Sequence, residues 1–447
     1  MLTLKETQSC PNSGLSSLPL NDMKDDSNLL LEQEYLWEIE KSPAATSANN
    51  LSLALFLEGS IDSRALKDSF AKILHRHVLL RTRIVESTVP NLVIGDMENL
   101  NLPFVEQTSS DLPRKEVISS LVESEVGKKF DLTQEFPIRG KLLRFDLKKH
   151  LLIITIHRIA ANMNLVGVIQ QELSTLYNAH TQGEQSLLQM DNKSGGILQE
   201  QIPDDVLKTQ LEFWEGQLAD LNHATLPVDK VRLPTPVHRA FTEHICLPEV
   251  LTNQLVQISV QNQTSLFSTL LSAIQILLYH LTNTTDNALA SNLDFVKTQE
   301  NIGLYNTTQI IRSEIRDDKT FTQHLGEVEK RLSDILQHRG WPWQKLMSEF
   351  RADNAEGHKN LEVFFDLHDW CIGNVQMENL TVSAVEGYEM STMYELEIHV
   401  WKVDKHLKDA TNLSTTTGIC SHISFSTSKR DQSLRESGAR ELTTELE

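Results

Sequence analysis

The chain has 447 residues, 40% of them hydrophobic and 23% charged, ordinary globular proportions for about two to three domains. A formal charge of −20 argues against nucleic acid or an anionic membrane as partner, because both bind a basic face. The longest apolar runs fall short of a membrane span, no basic segment leads into an apolar core at the N-terminus, and Cys10, Cys246, Cys371 and Cys420 lie far apart without metal-ligand spacing. The reading is a cytoplasmic protein with reduced thiols and no bound metal.

In chain order, residues 1–24 are polar and rich in Ser and Asn, and are expected to be disordered. Residues 25–180 read as one α/β unit. Strands are expected at 51–58, 80–85, 139–146 and 151–156, and helices at 63–75, 114–128 and 165–180. Residues 181–203, with Gly183, Gly195 and Gly196 among many Gln, Ser and Asn, read as a linker. A second unit over 204–411 carries expected helices at 205–218 and 266–280 and strands at 288–292, 361–367 and 395–401. From 412 to 447 the text is Ser-rich and charged, without an apolar stripe, and reads as an atypical, disordered or loosely packed tail.

The most informative stretch joins the first unit's last strand to its last helix. The apolar run Leu151-Leu152-Ile153-Ile154-Thr155 reads as a buried strand, and Leu165, Ile169, Leu173 and Leu176 have helical spacing. Between them runs Ile156-His157-Arg158-Ile159-Ala160-Ala161-Asn162-Met163-Asn164. This segment resembles the His-His-x-x-x-Asp-Gly motif of nonribosomal peptide synthetase condensation domains and their acyltransferase relatives, with three of the four defining positions changed. The first histidine is His157, the second is replaced by Arg158, the Asp by Asn162 and the Gly by Met163.

Other segments resemble the same family in the same order. They include Gln33 with Trp37, the run Leu57 to Leu66 with Gly59, Arg76-His77, Leu80-Arg81-Thr82-Arg83, and Phe130-Asp131-Leu132 with Pro137 and Arg139. Further on come Phe213-Trp214-Glu215-Gly216-Gln217-Leu218, Leu226-Pro227-Val228-Asp229, Ile302-Gly303 with Asn306-Thr307, and Pro342-Trp343-Gln344. The resemblance spans residues from about 25 to about 400. It implies an α/β fold of two chloramphenicol-acetyltransferase-like lobes arranged as a V around a central tunnel. Periodicity alone gives only α/β.

In the family, the second histidine acts in the tunnel as base or orienting group while an amine attacks a carrier-bound thioester. An arginine stays charged at any usable pH and cannot take that proton. Neighbouring strand residues face opposite ways, so His157 cannot replace it without a register slip, and the bland reading is a packed core histidine. Asn162 replaces an aspartate that in the family pairs with an arginine. Arg83 and Arg139 are the candidate arginines, and the alternative is that Asn162 caps the following helix. Met163 should narrow the tunnel.

The resemblance therefore implies a condensation-domain-like protein of nonribosomal peptide or hybrid polyketide biosynthesis, impaired in amide-bond formation. It would act by binding a peptidyl or acyl carrier protein or a synthetase module. The rival is an active acyl or aminoacyl transferase that uses carrier-bound or CoA thioesters without a histidine, Arg158 binding a carboxylate or oxyanion. No cofactor is expected beyond the phosphopantetheine of a carrier. Lys128-Lys129 and Lys148-Lys149 are either solvated surface or a landing site for such an acidic partner. Trp341-Pro342-Trp343 could stack a ligand or pack in the core.

Overall fold

The computed structural model describes residues 26–29, 31–41, 47–87, 90–95, 102–109, 112–184, 204–219, 221, 226–227, 239–293, 308–338, 361–368, 375–385, 390–391, 394–403 and 418–426. The expected disordered segment 1–24, most of the linker, and the motifs at 302–307 and 341–344 lie outside them.

The first lobe is built on a five-stranded sheet. Its order is β12 (Leu380–Ala384), β2 (Asn50–Gly59), β7 (Lys149–His157), β6 (Ile138–Arg144) and β5 (Phe104–Thr108). Strand β7 is buried almost throughout because both faces are covered. Leu152, Ile154 and Ile156 join the core beneath helices α2 (Ser63–Arg76) and α4 (Met163–Thr181), while Leu151 and Ile153 meet Val122 and Val126 of α3 (Lys115–Val126). That two-sided burial explains a continuous apolar run rather than an alternating one.

Helix α2 starts where Asp62 accepts a hydrogen bond from the Ala65 amide (2.9 Å). It packs Leu66, Phe70, Ile73 and Leu74 against Val166, Ile169 and Leu173 of α4. The Arg-His pair closing α2 anchors α4. Arg76 Nε stands 2.8 Å from one Glu172 oxygen and His77 Nε2 2.7 Å from the other, all three side chains buried. Helix α1 (Leu31–Lys41) buries Leu36 and Trp37 in the same core. A small sheet, β1 (Asp26–Asn28), β4 (Asn91–Ile94) and β3 (Thr82–Val85), completes the lobe.

The second lobe is a seven-stranded sheet in the order β10 (Thr308–Glu314), β9 (Asp286–Asn292), β11 (Val363–His368), β14 (Leu396–Val403), β15 (Gly418–Ser426), β8 (Arg239–Cys246), β13 (Met390–Ser391). Its helices are α5 (Asp204–Leu218), α6 (Glu249–Gln261), α7 (Leu266–Thr282) and α8 (Phe321–Gln337). Trp214, Leu271, Ile274, Leu278, Val328 and Ile335 pack with Leu289, Ile311, Val363 and Phe365 in one core. Trp214 also donates from its indole N–H to the His338 carbonyl (3.0 Å), fixing α5 at the end of α8.

Two boundaries differ from the sequence reading. Strand β12 comes from the later half of the chain yet pairs with β2 in the first sheet, so 204–411 is not one spatial unit. The junction depends on Gly59, whose φ is +136° and where a Cβ would lie 2.1 Å from the Asn379 carbonyl oxygen. The second correction concerns the tail. Residues 418–426 are not loose but form β15, a central strand paired with β14 on one side and β8 on the other. Backbone hydrogen bonding to two neighbours holds this strand where an apolar stripe is lacking.

No single helix among the described residues is long and apolar enough to cross a membrane.

Candidate functional site

The altered motif occupies the turn between β7 and α4. His157, the last residue of β7, points into the first lobe. Its Nδ1 accepts from the Ile159 amide (3.1 Å), its Nε2 stands 3.2 Å from a Glu40 carboxylate oxygen, and its ring meets Phe130 edge-on at 5.8 Å between centroids. With Nδ1 accepting, the ring proton belongs on Nε2, facing Glu40. Asn49 donates from Nδ2 to the same Glu40 oxygen (2.6 Å). Burial pushes the Glu40 carboxyl up, but the hydrogen bonds from His157 and Asn49 outweigh it and leave the pKa below its ordinary 4.5.

Helix α1 thus braces the turn at two points. Glu40 holds His157, and Gln33 donates from Nε2 to the Ile159 carbonyl (3.1 Å) from a wholly buried position. The Gln and Trp of the first motif are there to seat α1 against this turn.

Arg158, one residue on, lies outside that cluster. Its amide donates to the Asn49 carbonyl (2.8 Å), its side chain is half-buried, and its Nε has no hydrogen-bond partner among the described residues. Asn162 turns back on its own helix, accepting from the Leu165 amide (2.9 Å) as the N-cap of α4. Met163 packs against the first core from a half-buried position.

Of the two candidate arginines, Arg83 lies exposed over the Phe136 ring at 5.7 Å. Arg139 stacks over Phe130 at 3.9 Å and donates to the Lys128 carbonyl (2.6 Å). The contacts of both therefore lead to other partners than Asn162. Burial lowers the Arg139 pKa, against the pull of Glu135 and Glu125.

A second cluster, missed by sequence reading, stands on the second lobe. Strands β11 and β14 run parallel with Phe364 opposite Glu397, Asp366 opposite His399 and His368 opposite Trp401, so all six side chains share one face. His368 Nε2 and His399 Nδ1 are 3.0 Å apart, and the two rings stack at 5.3 Å and 17°. His368 Nδ1 is 3.4 Å from Asn164 Oδ1, at the start of α4, which carries the contact across to the first lobe. His399 Nε2 faces Glu397 Oε2 at 3.5 Å. The signal in the text was a polar alternation, Asp366-x-His368 and Glu397-x-His399-x-Trp401, on strands whose other face is apolar.

Geometry and motif order agree with comparison to known proteins. A family model, Condensation domain, matches residues 23–415. The chain belongs to the condensation-domain family. Curated relatives include chondramide synthase cmdD of Chondromyces crocatus, 26% identical over 393 residues that cover 86% of this chain and 10% of the relative. Malpinin synthetase of Mortierella alpina is 24% identical over 424 residues, covering 89% of this chain and 5% of the relative. The chain therefore spans a tenth or less of the length of these condensation-domain relatives.

Among solved structures, the X-domain from teicoplanin biosynthesis matches with a TM-score of 0.76 at 20% identity, covering 96% of both chains. Its complex with OxyB matches with a TM-score of 0.75 at 20% identity over 97% of this chain and 95% of that one. A starter condensation domain of rhizomide synthetase matches with a TM-score of 0.77 at 12% identity over 94% of each chain. These establish the fold, the α/β pair of chloramphenicol-acetyltransferase-like lobes, and are consistent with the V arrangement.

Proposed function

We propose that this condensation-family chain serves nonribosomal peptide or hybrid polyketide biosynthesis by binding a carrier protein or another biosynthetic partner, without forming amide bonds by the family route. One observation carries the reading. The position the resemblance assigns to the base is Arg158, and the remaining histidine, His157, is held inside the first lobe, its Nδ1 accepting from the Ile159 amide and its Nε2 lying 3.2 Å from the Glu40 carboxylate. Reaching a tunnel substrate would require His157 to abandon a buried carboxylate, which is costly. A positioned base contributes about 10²- to 10⁴-fold to rate, and losing it removes that share while leaving the scaffold intact.

Partner binding is supported by the relatives. The X-domain from teicoplanin biosynthesis is known in complex with OxyB, and the fold is shared at a TM-score of 0.75. The cofactor involved would belong to the partner, as the phosphopantetheine of a carrier.

The rival reading is a histidine-independent transferase in which the half-buried Arg158 side chain would meet a substrate carboxylate or oxyanion. The test is native mass spectrometry of the chain with loaded carrier proteins, with acyl transfer read in the same tubes. The proposal expects complex without transfer. Transfer that disappears in Arg158→Ala would establish the rival.

A further inference from the structure

The histidine pair on β11 and β14 has no role in the reading above. Its geometry has the features of a metal site. His368 Nε2, His399 Nδ1 and an Asp366 carboxylate oxygen all lie within 4.8 Å of one another. The closest pair is 3.0 Å apart and Asp366 Oδ2 is 3.9 Å from His368 Nε2. A tetrahedral ion held at about 2.0–2.1 Å needs ligand atoms about 3.3 Å apart; the two histidine nitrogens already stand near that spacing, and the Asp366 carboxylate has to swing inward from 3.9 Å to complete the set.

The outer contacts matter more than the spacing. A histidine ligand usually donates its other ring N–H to a carboxylate or carbonyl oxygen, which fixes the tautomer and aims the free nitrogen at the ion. Both histidines have this arrangement. His368 presents Nε2 inward and sets Nδ1 against Asn164 Oδ1 (3.4 Å), and His399 presents Nδ1 inward and sets Nε2 against Glu397 Oε2 (3.5 Å). Asp366 is also oriented. Its Oδ1 accepts from the Leu367 amide (2.9 Å), and its Oδ2 accepts from Asn292 Nδ2 (3.4 Å), whose own Oδ1 accepts from Thr308 (3.0 Å).

We propose that the chain binds one divalent first-row transition-metal ion through Asp366, His368 and His399, leaving at least one coordination position open at the seam beside the N-terminus of α4. Two imidazoles and one carboxylate suit Zn²⁺ or Fe²⁺ and are a poor set for Mg²⁺ or Ca²⁺, which prefer all-oxygen ligands. The site is independent of carrier binding, so either can fail alone.

The test uses the full chain without an affinity tag, stripped with chelator and dialysed. It is loaded separately with Zn²⁺, Co²⁺ as a spectroscopic stand-in, and Fe²⁺ under anaerobic conditions, and retained metal is counted by elemental mass spectrometry after gel filtration. The expected result is one retained equivalent of Zn²⁺ or Fe²⁺ per chain, with a Co²⁺ visible spectrum of the intense four- or five-coordinate type. His399→Ala and Asp366→Asn should lose retention, Glu397→Gln should weaken affinity about 10- to 100-fold, and exposed His280→Ala should change nothing. Folding of each variant is checked by circular dichroism. Where a variant unfolds, the Co²⁺ spectrum of the natural chain decides. The proposal is overturned if the natural chain retains no ion, if its Co²⁺ spectrum is that of the hydrated ion, or if folded His399→Ala binds as tightly as the natural chain.

Discussion

Two histidines end central strands of the two sheets and have opposite fates. His157 closes β7 and His368 closes β11. His157 turns inward, with one ring nitrogen on a backbone amide of its own turn and the other on a carboxylate from α1. His368 pairs with a histidine on the next strand and reaches an asparagine of the other lobe. A strand-end position therefore does not make a histidine available for chemistry; the partners of its two nitrogens decide. The first lobe has spent its polar groups on holding one turn in place, while the second gathers nitrogen and oxygen donors around a common point.

The sharpest way to break this contrast is to ask whether the first lobe's polar clusters are structural. Glu172→Gln removes the buried charge that pairs with both Arg76 and His77 and should cost about 3–5 kcal/mol, the usual cost of breaking a buried ion pair. Chemical denaturation measures it, and a loss near zero would mean that α4 is not anchored there. His157→Ala should cost less, about 1–3 kcal/mol, by leaving Glu40 short of a donor, and should not alter partner binding. A binding defect in a folded His157→Ala protein would refute its assignment as a packing residue. Asn162→Ala should cost about 1 kcal/mol through loss of the α4 cap, whereas Asn162→Asp should be nearly neutral, since either residue caps well. Thermal melts separate the two.

The smallest effect is the pH dependence. Burial lowers the pKa of His150 and of His324 below the ordinary 6.5. In that window the unfolded chain binds more protons than the folded one, so stability contributed by keeping both neutral falls as pH drops below about 6.5. Glu40 and Glu125 are lowered from 4.5 despite burial, through hydrogen bonds from His157 and Asn49 in one case and Lys128 and Lys141 in the other. Their contribution is lost in a second step as pH falls below about 4.5. Denaturation midpoints across pH should show both declines, and a midpoint that rises between pH 6.5 and 5 would contradict the histidine part.

Elements that bury one regular stripe were legible in the sequence. Leu66, Phe70 and Ile73 mark α2, and Leu165, Ile169, Leu173 and Leu176 mark α4, because helical period and core contact coincide there. Strand β15 was not legible. Gly418-Ile419-Cys420-Ser421-His422-Ile423-Ser424 reads as Ser-rich tail, and what makes it a strand is pairing with β14 and with β8, which lies far back in the chain. Helices α6 and α8 and strands β8 and β10 were missed as well, and β12 was unreadable as a first-lobe strand, since its partner β2 lies more than three hundred residues earlier. The altered motif was found by its text, whereas the Asp366, His368 and His399 cluster needed two parallel strands laid side by side before its donors converged.

The central proposal, that the changes at Arg158, Asn162 and Met163 silence the family route on this condensation-family scaffold, is tested most directly by single-turnover transfer from loaded carrier proteins. The natural chain is compared with its Arg158→His/Asn162→Asp/Met163→Gly variant. The account predicts no transfer by the natural chain and a gain of transfer in the variant, with carrier binding unchanged. Transfer by the natural chain, equal to or faster than that of the variant, would contradict it.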